Sequence, residues 1–96
     1  MKNFLFLAVG FGAQTDATMG DWEKWFETNG DKIVDKGAPT VSGREITKSG
    51  ISELPLDDAA ISGYMVVKAA DMDEAVKLAE GSPINHALHI YETMTM

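Results

Sequence analysis

Ninety-six residues, 45% of them hydrophobic and 24% charged, make one domain (residues 1–96) near the lower end of single-core size. Fifteen acidic against eight basic side chains give a formal net charge of −7, and Lys32, Lys36, Arg44 and Lys48 stand isolated, so no nucleic-acid surface is expected. The absence of cysteine excludes disulfides, thiolate nucleophiles and thiolate metal sites, and is compatible with a cytoplasmic setting.

The chain opens on an apolar run of strand length over residues 3–9, ended by Gly10 and Gly12. Phe4, Phe6 and Ala8 fall on one face, and Leu5, Leu7 and Val9 on the other. A strand buried on one face alternates with polar residues, so this one predicts a sheet covered on both sides. Behind Lys2 the same run also has the look of a short secretory leader. A core strand is the preferred reading, since cleavage would remove the most hydrophobic strand. The run is too short to span a bilayer, and no membrane partner is expected.

A polar loop over residues 14–20 leads to a first helix predicted at about 19–36, with Thr18 or Asp21 as candidate caps. Trp22, Phe26 and Ile33 recur at helical spacing, and Trp25 and Val34 widen the stripe. Gly30 falls near that face and predicts a close approach to a sheet, while Gly37 and Pro39 read as the helix stop. Residues 40–50 suggest an exposed edge strand, with Gly43 as a bulge and Gly50 as the exit. After a loop over 51–58 containing Pro55, a strand is predicted at 59–69, apolar or small on both faces.

The second helix, at 72–80, has the clearest local signature. Asp71 and Glu74 have capping-box spacing; Met72, Ala75, Val76 and Ala79 form the stripe; Gly81 and Pro83 end it. In the last strand Leu88, Ile90, Met94 and Met96 share one side, and His89, Tyr91, Thr93 and Thr95 the other. The order β-α-β-β-α-β predicts a ferredoxin-like α+β sandwich, a four-stranded antiparallel sheet with two helices on one face. Surplus apolar side chains on the second face call for a homodimer with facing sheets. Burying about 500 Å² there is worth on the order of 12 kcal/mol before association costs.

The segments Ser62-Gly63-Tyr64-Met65-Val66-Val67, Asp71-Met72-Asp73-Glu74-Ala75 and Gly81-Ser82-Pro83 resemble the YCII-related family, with its Gly-Tyr strand, Asp-led helix and Gly-Cys-Pro-like stop. The closing Ile90–Met96 strand is similar to its last strand. Trp22, Trp25, Gly30-Asp31 and Asp35–Pro39 are similar to a tryptophan-containing branch. The resemblance implies a dimeric α+β barrel, often bacterial and mostly of unassigned function. Some members carry a His–Asp pair proposed as an active site, and one branch includes a dehydrochlorinase of chlorinated aromatics. Here the first helix has no His, and Leu56-Asp57-Asp58-Ala59 stands where another branch has Asp-Gly-Pro-Phe. The resemblance therefore transfers no catalytic residue.

His86 and His89 are the groups that titrate near neutrality. Three apart at the start of a strand, they point to opposite faces, so neither a metal site nor a cofactor is expected. His89 and Tyr91, with Asp57 and Asp58 from the loop before the third strand, are the candidate acid–base set of a small enzyme working in a dimer cleft. Its substrate would be a small aromatic or carbonyl-bearing molecule. Trp22, Phe26, Arg44 and His86 are candidate ligand contacts. The plainer readings are a hydrogen-bonded sheet histidine, a solvated His86, a solvated acidic loop, a charge guarding a strand edge, and aromatic core. On those, the chain is a non-catalytic homodimer that binds a metabolite or partner.

Overall fold

A computed structural model describes residues 1–10, 19–84 and 87–94. Its elements are β1 (Lys2–Val9), α1 (Met19–Thr28), β2 (Ile33–Pro39), β3 (Arg44–Thr47), β4 (Gly50–Glu53), β5 (Ile61–Ala69), α2 (Met72–Glu80) and β6 (Ala87–Glu92), with a 3-10 turn at Gly30–Lys32. The architecture is α+β. Four antiparallel strands in the order β2-β5-β1-β6 form the main sheet, an arrangement compatible with a ferredoxin-like fold.

The apolar run at the N-terminus becomes β1, a central strand paired on both edges. Its alternation sorts the sheet into two faces. Phe4 and Phe6 are fully buried beside Met65 and Val67 of β5, against Trp25 of α1 and Ala75 and Ala79 of α2. Both helices therefore meet the same sheet face. The other face carries two cross-strand rows, Ala38–Tyr64–Leu7–His89 and Asp35–Val66–Leu5–Tyr91. Nothing in the described chain covers it: Leu5, Leu7 and Val66 are half-buried, and Tyr64, His89 and Tyr91 are exposed.

α2 forms at the predicted residues because its ends are specified locally. The Asp71 carboxylate accepts from the Glu74 amide at 2.9 Å, and Glu74 reaches back to the Ala70 amide at 3.4 Å. Gly81 closes the other end. Between the helices, the indole N–H of Trp25 donates to the Leu78 carbonyl at 3.2 Å, tying α1 to α2.

Three expectations are corrected. The first helix stops at Thr28, and Ile33 and Val34 belong to β2, because Ile33 pairs with Val67 and its backbone is claimed by the sheet. Gly30 is exposed and would meet nothing within 4 Å if it carried a Cβ, so it marks no close approach. Residues 40–50 do not supply the sheet edge; β2 does. β3 and β4 instead make a separate two-stranded hairpin, Ile46 opposite Ile51 and Arg44 opposite Glu53, exposed along its whole length. The Thr18 cap, His86, Thr95 and Met96 lie outside the described residues.

Candidate functional site

A mainly apolar cleft lies on the helix side of the sheet, at the end where β1 finishes and β5 begins. Its floor is one cross-strand row, Pro39–Gly63–Ala8–Leu88. Farther along the same face Phe4 and Phe6 fill the space beneath the helices, but in this row Gly63 and Ala8 are too small to do so. Trp22 and Phe26, one turn apart on α1, form the wall, with Met65, Pro83 and Ile84 completing it. The resulting cavity is about 560 Å³ and mainly apolar, within the size range of small-molecule sites.

A bulge sets the rim. β2 slips register between Asp35 and Ala38, with Gly37 at φ 64° and its amide bonded to the Asp35 carboxylate at 2.8 Å. A Cβ on Gly37 would collide with the Tyr64 carbonyl, so only glycine fits there. The bulge brings the Lys36 ammonium over the Phe26 ring, 5.5 Å from its centroid. Lys36 and Glu23 are ionisable residues of the lining, which Tyr64 borders from β5 although its side chain belongs to the row of the opposite face.

Trp22, Trp25 and Phe26 form one aromatic cluster with ring centroids 5.6–6.1 Å apart. Their roles divide. Trp25 is core, 6% exposed, while half-buried Trp22 and Phe26 keep a face toward the cleft. Core and cleft wall thus coexist on one helix.

The other candidates lie elsewhere. His89 and Tyr91 share the open face, one row apart, on the far side of the sheet from the cleft. Leu7 separates His89 from Tyr64 within its row. Asp57 accepts from the Ala59 amide at 3.0 Å in the turn entering β5, and that turn meets the end of β1 through Gly10 N–H to Ala60 O at 2.7 Å. Asp58 is exposed in the same turn. Arg44 is exposed on the β3–β4 hairpin and is not part of the cleft lining. Among the described residues no three His, Asp or Glu side chains converge in a metal-binding group.

A shallower, more open groove of about 750 Å³ runs between α1 and α2 past Lys24, Lys32, Glu74 and Lys77. Lys32 pairs with Glu74 at 3.5 Å across it. Its mixed charges suit solvent better than an apolar ligand. Among the described residues no helix is long and apolar enough to cross a membrane. Neither family models, nor curated proteins, nor solved structures give a match to this chain.

Proposed function

We propose that this chain is a homodimeric, YCII-like ferredoxin-fold protein that binds a small aromatic or carbonyl-bearing metabolite without a cofactor. The observation that carries the ligand reading is the cleft over the Gly63–Ala8 floor, walled by Trp22 and Phe26. Stacking on those rings supplies affinity for a flat apolar molecule, and the Lys36 and Glu23 rim supplies polarity at its edge. The lining is mainly apolar and aromatic, the character of a binding cleft.

N-phenyl-1-naphthylamine, an uncharged fluorescent aromatic, tests this directly. The wild type is expected to bind it with micromolar affinity and with quenching of tryptophan emission, and Ala8→Phe, which fills the floor, to weaken binding at least tenfold. Equal binding by a folded Ala8→Phe variant overturns the proposal.

A catalytic reading has one observation in its favour: His89 and Tyr91 side by side on the open face, with Tyr64 two strands from His89. Facing sheets of a dimer would enclose these groups as a hydrogen-bonding or acid–base set. His89→Ala that preserves the dimer yet abolishes turnover of a carbonyl or aromatic substrate supports it; unchanged turnover excludes His89.

A further inference from the structure

We propose that the β3–β4 hairpin is an exchanged arm that lies over the open sheet face of a second copy of this chain. Residues 41–56 carry Val41, Ile46, Ile51, Leu54 and Leu56, each between 46% and 79% exposed. Ile46 and Ile51 are directly opposed across the ladder, so they present one apolar spot. A lone hairpin of two four-residue strands is marginal in water, and among the described residues this one pairs with no other strand. Something must cover it for the ladder to persist.

Three observations choose a second copy as that cover. The chain already presents an unpartnered apolar face of Leu5, Leu7, Val66, Tyr64 and Tyr91, and a two-fold pair lets each arm cover the other's face. Arm and face together offer apolar side chains on both sides of one contact, Ile46 and Ile51 on the arm and Leu5, Leu7 and Val66 on the face, the kind of core a stable interface of roughly 800 Å² per partner needs. Charge agrees as well. Two chains of net −7 repel, yet the arm is balanced, with Arg44 and Lys48 against Glu45 and Glu53. It is the segment an acidic chain can bring to its own copy at least electrostatic cost.

This inference rests on the homodimer reading above, and one experiment separates the two. Because the chain has no cysteine, single cysteines are unique handles. Ile51→Cys chains are mixed with Tyr91→Cys or Tyr64→Cys chains, and a short bismaleimide is added; the dimer mass is first checked by light scattering. A mixed cross-linked species is expected, together with a rise of tenfold or more in dimer dissociation constant for Ile46→Glu/Ile51→Glu. Wild type that stays monomeric at 100 μM overturns both the dimer and the arm. A wild-type dimer that gives no mixed cross-link, and whose affinity the double glutamate variant leaves unchanged, overturns the arm alone. Saturable binding of the hairpin to a different protein, with this chain monomeric, also overturns both.

Discussion

At the level of single side chains, Trp25 carries two jobs. It fills the space between α1 and the sheet, and its indole N–H is bonded to the Leu78 carbonyl. Trp25→Phe keeps most of the apolar volume but leaves that carbonyl without its partner and opens a small void. A loss of about 1–2 kcal/mol is expected from urea unfolding. Trp22, half-buried beside the cleft, should lose less than about 1 kcal/mol on the same change. Equal losses at the two positions would contradict the division between core and cleft wall. Glycines make a second contrast. Gly37 and Gly50 both have positive φ, but a Cβ at Gly37 meets the Tyr64 carbonyl whereas one at Gly50 meets nothing within 4 Å. Gly37→Ala should therefore cost at least about 2 kcal/mol and Gly50→Ala about 1, by the same measurement.

The elements differ in how locally they are specified. α2 has its start written into Asp71 and Glu74, three residues apart, and its end into Gly81. Asp71→Ala removes the acceptor for the Glu74 amide and should cost about 1 kcal/mol, with Asp71→Ser restoring most of it. Comparable stability of all three proteins would show that packing of Ala75 and Ala79, not the cap, holds the helix. Because such signals are local, α2, β1 and β5 were legible in the residues alone, each within two positions of its observed bounds, and so was the start of β6, which ends at Glu92 rather than running on through Met94. The α1–β2 boundary was not. Ile33 continues the spacing of Phe26, and what ends the helix is pairing with Val67, a partner 34 positions away. The alternation around Arg44 and Ile46 likewise announces a strand without naming the strand it joins. Of the cleft, Trp22 and Phe26 could be read from helical spacing. An isolated glycine in an apolar strand, Gly63, was the one further available clue. Ala8, Leu88 and Lys36 enter through register across the sheet and a bulge, neither of which any local pattern encodes.

For the whole molecule, the shape is extended rather than round. The chain measures 41 × 37 × 19 Å with a radius of gyration of 14.3 Å, against about 12.5 Å for a compact domain of this length. It is a slab, one helix layer on one sheet, with an arm. Its fully buried large side chains are Phe4, Phe6 and Val67 among the described residues, a thin core for a chain of 96. In the proposed dimer the open face and arm become a second core, so subunit association supplies part of the folding free energy. Unfolding should then depend on protein concentration. For a two-state dimer that unfolds to separate chains, stability per dimer rises by about 1.4 kcal/mol for each tenfold increase in concentration. Urea unfolding at 1, 10 and 100 μM should show the midpoint climbing, and Leu7→Glu, which places a charge at the centre of the open face, should flatten that climb. A midpoint independent of concentration in the wild type would mean that the thin core suffices and that the slab is stable alone. The apolar arm and face would then be surfaces held for a different partner.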